Sequence, residues 1–224
     1  MKNRFRKCLN VVLISALSIS CWEICKKQIQ YIENQIEHKK IIAEKESIKD
    51  IQEYLFDREY DWISVKNTAI NYPLVQGVDN QYYLTHDHNG DANIAGAIFF
   101  DAVDKPYNGN MTVIYGHSMR DGTMFNNLHF FTRDTGRFRD SELIISDKDK
   151  DTKYVPLGFA IYDGKDPFHR KLDNSDINTT VEIMKENCNY FIDVNYKEDK
   201  HIIALITCEY SIDDGRLVVF YISE

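Results

Sequence analysis

The sequence predicts a mainly β domain, a closed barrel or a sandwich of about eight strands, carried behind a long N-terminal helix. Three observations predict it. From Trp62 onward, short runs rich in Val, Ile, Phe and Tyr alternate with polar turn clusters such as NGD (89–91), DKDKD (147–151) and DDG (213–215). Ahead of that region no Gly precedes Gly77 and no Pro precedes Pro73, so nothing in the first seventy residues breaks a helix. Within the β region only MFNNLHFF (124–131) and INTTVEIMKENC (177–188) read as inserted helices.

The chain begins with Lys2, Arg4, Arg6 and Lys7, followed by the apolar run CLNVVLISALSISCWEIC (8–25). No charge falls between Cys8 and Trp22, and extending the run through Cys25 brings it near the roughly 20 residues that span a bilayer. Residues 1–25 therefore read as a single-pass membrane anchor. The positive-inside rule places the basic end in the cytoplasm and everything after residue 27 outside the cell. A cleaved signal peptide is the competing reading, because Ala16, Ser18 and Ser20 suit cleavage. The unbroken helical pattern that follows argues for retention.

Residues 26–60 form the next unit. Ile29, Ile32 and Ile36, then Ile48, Ile51 and Leu55, recur at spacings of 3 and 4 among Lys and Glu. That spacing predicts an amphipathic helix over 26–57, a stalk resting partly on the domain.

The domain, 61–224, then unfolds strand by strand. WISVK (62–66) and NYPLVQ (71–76) come first, then AGAIFF (95–100) and MTVIYG (111–116). ELIIS (142–146) and KYVPLGFAIYD (153–163) follow the first helical insertion. HIIALIT (201–207) and RLVVFYIS (216–223) end the chain as a candidate hairpin.

Charge and cysteine content narrow the function. The formal net charge is −8, and the basic head leaves the body still more acidic. A nucleic-acid binder needs a basic face to displace counterions, so that class is excluded. Of five cysteines, Cys8, Cys21 and Cys25 lie in the apolar segment and only Cys188 and Cys208 in the body. That is too few for a disulfide-stapled scaffold. One Cys188–Cys208 bridge is possible, but the plainer reading is two free thiols, with Cys188, beside Ile183 and Met184, in the core.

Three residues end or begin neighbouring strands. His117 follows MTVIYG, Cys208 follows HIIALIT, and Arg216 opens RLVVFYIS. A hairpin of the last two strands puts Cys208 and Arg216 at one end of the sheet. Taken singly, each has a plain reading: a small apolar filler, a hydrogen-bonded surface imidazole, a solvated cation. Together their chemistries are complementary. A free thiol of pKa about 8.5 is only a few per cent ionised at neutral pH, and a nearby imidazolium favours the thiolate and can protonate a leaving amine. An arginine donates hydrogen bonds to an oxygen that becomes negative during acyl transfer.

TVIYGHSM (112–119) and ALITCEYSIDDGRLVVF (204–220) resemble the His and Thr-Cys…Arg segments of sortases. NYPLVQGVDNQYYL (71–84), GAIFFD (96–101) and YGHSMRDGTMFNNL (115–128) resemble the class B branch, and the likeness runs from about Trp62 to the C-terminus. The resemblance implies an eight-stranded β-barrel cysteine transpeptidase on the outer face of a Gram-positive membrane. It implies cleavage of a C-terminal sorting signal of secreted proteins after Thr, with transfer to an amine of the cell-wall peptidoglycan. Cys208 would be the nucleophile, His117 the acid and base, and Arg216 the oxyanion partner. Asn80 and Leu84 match positions of the signal groove, and Thr207 and Glu209 flank the nucleophile; all four are expected substrate-binding residues. The helix at 177–188 would border the groove. The Cys-to-Arg separation of eight residues is short, which bears on how Arg216 reaches a substrate.

No metal or organic cofactor is expected. THDHNGD (85–91) mimics the start of a calcium loop, but the sixth and twelfth positions hold Ala92 and Ile98 where Gly and Glu are needed. His86 and His88 lack a third ligand. Neither a phosphate-binding Gly-rich loop nor a G-x-S-x-G elbow occurs. Two alternatives stand beside the sortase reading. One is an L,D-transpeptidase-like cysteine enzyme, which typically carries Arg close after Cys. The other is a catalytically silent, surface-tethered binding module, which would be free to lose one of the three residues.

Overall fold

The apolar runs pair into one sheet that closes on itself. The structure is a computed structural model that describes residues 2–48, 50–103, 106–107, 109–165, 172 and 176–224. A single helix, α1 (Lys2–Ser47), leads in, and Asp50 caps a short α2 (Ile51–Leu55) by accepting the Gln52 N–H. The strands are β1 (Asp61–Val65), β2 (Asn71–Gln76), β3 (Ile98–Phe100), β4 (Met111–Tyr115), β5 (Leu143–Ser146), β6 (Asp151–Asp163), β7 (Tyr190–Phe191), β8 (Ile202–Glu209) and β9 (Gly215–Ser223). Between them lie α3 (His129–Arg133), α4 (Thr135–Arg139) and α5 (Ile177–Asn187).

The strand order is β5-β1-β2-β3-β4-β8-β9-β6, and a β5–β6 ladder closes these eight into a barrel. β7 joins β6 at Gly158 and Phe159, beyond the stretch that β5 occupies. Two neighbours run parallel, β2 with β3 and β4 with β8; the rest are antiparallel.

Side chains alternate across a strand, so one strand can serve two cores. In β8, Ile203 and Leu205 enter the barrel interior with Ile63, Leu74, Phe100 and Ile114. Ile202, Ala204 and Ile206 point outward, beneath Ile177, Val181 and Met184 of α5. β9 repeats the pattern, with Leu217, Val219 and Tyr221 inside and Val218, Phe220 and Ile222 outside. That double burial explains why both strands read as continuous apolar runs rather than alternating ones.

Two expectations need correction. Ile29, Ile32 and Ile36 do not face the domain and are more than half exposed. α1 docks instead through Tyr31, Gln35, His38 and Lys45. Tyr31 packs on the core, Gln35 donates to Asp121, His38 stacks on Tyr72 with centroids 4.0 Å apart, and Lys45 lies 4.6 Å over the Trp62 ring. Ile41 and Ile42 add apolar contact with the Tyr54–Trp62 cluster, so the face of α1 that docks is not the one carrying Ile29, Ile32 and Ile36. Ile48, Ile51 and Leu55 do pack as a stripe should, around Tyr54 and Trp62.

The run AGAIFF gives a strand only from Ile98, because Gly96 sits at φ +61. A Cβ there would lie 2.3 Å from the Tyr83 carbonyl oxygen, a contact only glycine permits.

Candidate active site

Three strand ends converge at one rim of the barrel. The β4–β8 ladder pairs Tyr115 with Ile206, and the Gly116 N–H continues it to the Ile206 carbonyl at 3.2 Å. Carried on by two residues, this register sets His117 level with Cys208. Across the β8–β9 hairpin, Cys208 pairs directly with Arg216. Alternation fixes the side. Cys208 shares its face with Ile202, Ala204 and Ile206, and Arg216 with Val218, Phe220 and Ile222, both outward sets. Met111 and Val113 place His117 on that same outer face. All three side chains are half-buried.

Below the site the strands are bolted together. The Thr207 hydroxyl, buried, donates to the Gly116 carbonyl at 2.7 Å, so the residue before the thiol grips the residue before the imidazole.

His117 is oriented by the backbone. Its Nε2 lies 2.8 Å from the Leu84 carbonyl, which only accepts, so Nε2 carries the hydrogen and Nδ1 is the atom left to exchange a proton. Leu84 ends a 3-10 turn, Tyr82–Leu84, and the close approach at Gly96 is what brings that turn onto the head of β3. The Ala97 N–H fixes it further by donating to the Tyr83 carbonyl.

Arg216 lies over its own turn. Nη1 contacts Asp214 Oδ1 at 2.9 Å and donates to the Asp214 and Gly215 carbonyls at 3.1 and 3.0 Å. Asp214 holds φ +49, and the tight turn it makes brings its carboxylate within reach. Tyr210 stands at the rim with its hydroxyl donating to the Ser118 carbonyl at 3.4 Å. Burial pushes that hydroxyl upward, the Cys208 thiol adds to the shift, and Arg120 and Arg216 oppose it.

The other sequence-selected residues serve the scaffold around this rim. Asn80 accepts from the Ala102 N–H and donates to Asp101, so both ends of its amide are occupied by the segment that follows β3. Leu84 packs beside Val75, Phe99 and Tyr115 while its carbonyl holds His117. Glu209 accepts from the Ser211 N–H and pairs with His129 at 3.0 Å. Cys188 is remote, on the α5 side, and burial pushes its thiol up to about 12. Around the THDHNGD segment, Asp87 accepts the N–H groups of Asn89 and Asp91 in a closed turn, and His86 bonds the Tyr82 carbonyl. Among the described residues no cluster of three His, Cys, Asp or Glu is arranged to hold a metal.

Sequence reading missed the Leu84 carbonyl, Asp214 and His129. A carbonyl carries no residue signature. His129 lay in a predicted helix and showed nothing to single it out.

The family model described as Sortase domain matches residues 63–221. The chain belongs to the sortase family. Sortase B of Listeria monocytogenes is 26% identical over 98% of this chain and 96% of its own length. Sortase B of Staphylococcus aureus is 32% identical, covering 70% of this chain and 67% of that protein. The crystal structure of Clostridium perfringens sortase B superposes with a TM-score of 0.68 at 25% identity, covering 77% of this chain and 97% of that one. These relatives place the chain in class B, as a sortase-type cysteine transpeptidase with an eight-stranded barrel. The L,D-transpeptidase alternative falls with that assignment.

Proposed function

We propose that this sortase cleaves a C-terminal sorting signal of the P-x-T-G or P-x-T-N type in secreted proteins and joins the Thr to a cell-wall peptidoglycan amine. Cys208 Sγ, as thiolate, attacks the Thr carbonyl carbon. The tetrahedral oxyanion is met by Arg216. His117 gives its Nδ1 proton to the departing nitrogen as the C–N bond breaks, leaving a thioester on Cys208. The incoming wall amine then attacks that carbonyl, His117 takes its proton, and the C–S bond breaks to restore the thiolate.

The observation that carries this reading is the common rim position of Cys208, Arg216 and His117, with the imidazole ring fixed by the Leu84 carbonyl. In this reading Asn80, Leu84, Thr207 and Glu209 bind the signal, and α5 borders the groove that takes it. Arg216 has to leave the Asp214 turn to meet a substrate oxygen, and the flexible methylene stem allows that.

α1 is long and apolar enough in its first part to cross a membrane. In this reading residues 1–25 are retained as the anchor, with the N-terminus cytoplasmic and the barrel outside, where both secreted clients and wall amines occur.

The test uses the full chain in detergent micelles, a peptide library of the form x-P-x-T-[G/N], and intact-mass spectrometry. An acyl adduct on Cys208 with loss of the C-terminal fragment, absent in Cys208→Ala, is the expected result. A folded protein that takes up no peptide would overturn the reading in favour of a silent binding module.

A further inference from the structure

Beyond the last ladder bond of β4 and β8, Thr207 and Tyr210 still reach across to the Gly116 and Ser118 carbonyls, and a further tie between the two chains comes from a third element. His129, at the start of α3, sets Nδ1 3.0 Å from Glu209 Oε2 and Nε2 3.2 Å from Ser118 Oγ. Glu209 follows Cys208, and Ser118 follows His117. We propose that His129 is a positioning residue for the transfer reaction, bridging the residue after the nucleophile to the residue after the acid and base. The proposal rests on the Cys208 and His117 assignment above.

The bridge is closed at every point. The Asn126 amide donates to Ser118 Oγ at 3.1 Å. The Ser118 hydroxyl hydrogen is then directed to His129 Nε2, and His129 Nδ1–H to the Glu209 carboxylate. The second carboxylate oxygen accepts the Ser211 N–H at 2.8 Å. Burial tends to raise the Glu209 pKa, but the Ser211 hydrogen bonds and His129 outweigh it and hold the carboxyl below its ordinary range, which keeps it an acceptor. The His129 and Glu209 side chains are only 14% and 12% exposed, so water competes weakly for these bonds.

The order carboxylate, imidazole, hydroxyl is also that of a hydrolytic triad. Ser118 is unfit for that use. It is 6% exposed, and its oxygen already takes the Asn126 hydrogen, so no acyl group has room to form on it.

Positioning is where such a tie has leverage. The ladder ends at Gly116, and the 117–124 loop returns through the Phe125 N–H on the His117 carbonyl. The His129 bridge sits one residue past each reacting side chain, where a shift of about 1 Å is enough to lower a rate roughly 100-fold.

The experiment uses the full chain in micelles with whichever x-P-x-T-G or x-P-x-T-N peptide acylates the wild type. His129→Ala is expected to lower kcat about 10- to 100-fold with KM within about twofold, while the thermal midpoint stays near that of the wild type. His129→Gln, which offers one donor and one acceptor on a single amide, should recover much of the lost kcat. In a double-mutant cycle, Ser118→Ala should abolish most of the effect of His129→Ala. A kcat within threefold of wild type in His129→Ala, or full additivity with Ser118→Ala, overturns the proposal. If His129→Ala does not fold, Ser118→Ala and Glu209→Ala read the two ends separately, and normal kcat in both overturns it. Should wild-type acylation map to a residue other than Cys208, the site assignment fails first, and that outcome is separately visible in the mass of the labelled peptide.

Discussion

Gly116 is the residue where the sequence leaves least room beside His117, and replacing it by Ala tests how the rim is packed. A Cβ built at Gly116 falls 2.7 Å from Phe125 Cδ2, 2.9 Å from Cγ and 3.1 Å from Cε2. To regain an ordinary separation the ring has to retreat about 0.7 Å. Phe125 is fully buried and its N–H is bound to the His117 carbonyl, so the ring cannot turn to solvent and any shift is passed to the imidazole. Two effects oppose each other. Restricting the unfolded chain favours Ala by about 0.4–1 kcal/mol. Overpacking a closed core costs about 1–3 kcal/mol, and with a contact this short the steric effect wins. A domain of this size loses about 2–4 °C per kcal/mol, so Gly116→Ala should melt several degrees lower. It should also turn over about tenfold or more slowly, since His117 moves. Adding Phe125→Leu makes room, and the double variant should be coupled by about 1 kcal/mol or more. Thermal unfolding and peptide turnover measure both quantities. A midpoint within 1 °C of wild type with full kcat, or strict additivity with Phe125→Leu, would falsify the packing argument.

Other expectations follow from charge and burial. Because burial holds the Cys188 thiol up to about 12, iodoacetamide at pH 8 should label Cys208 and spare Cys188 in peptide mapping; equal labelling of the two refutes it. Asp214→Asn keeps a residue tolerant of positive φ but releases Arg216 from its carboxylate. A partly exposed pair of this kind is worth about 0–1 kcal/mol, so kcat/KM should rise by up to about fivefold, and a fall would mean that the turn, not the charge, positions Arg216. Asp61 is raised to about 6, first by burial and then by Asp147. A raised carboxyl favours the folded state while protonated, and that stability is lost as pH climbs from about 4 through 6. Asp61→Asn should therefore gain stability over wild type at pH 7 and little at pH 4, measured by urea unfolding; equal gains at both pH values argue against a buried charge.

Much of this architecture was legible. All eight barrel strands fall on predicted runs, because polar turn clusters punctuate them, and α3 begins within one predicted helical insertion while α5 fills the other. The positions of Cys208 and Arg216 opposite each other followed from a short hairpin, and the ladder pairs them. What escaped has physical reasons. β7 is two residues long, too brief to show a period, and α4 is a single turn marked only by the Asp134 cap on Arg137. The parallel partners β2–β3 and β4–β8 leave no local trace, since a strand's own pattern does not name its neighbour. The isoleucine stripe of α1 misled, because its periodicity identifies a helix face but not what lies against it. The scaffold bonds of His117 and Asn80 run to backbone atoms or to residues distant in sequence, and pattern reading has no access to either.

The β4–β8 pairing has a consequence for when the thiol becomes dangerous. The two strands are roughly ninety residues apart in the chain, so their ladder closes a very large loop and belongs to the slow, non-local part of folding. Under the proposed site assignment, Cys208 gains its imidazole neighbour only once that ladder forms, and before then it reacts like any cysteine in an extended peptide. On that assignment, a chain still emerging, or one that has begun to unravel, is expected to be chemically mute, neither capturing passing polypeptides nor staying acylated in a half-built state. The fold acts as its own safety catch, released only when the barrel is shut.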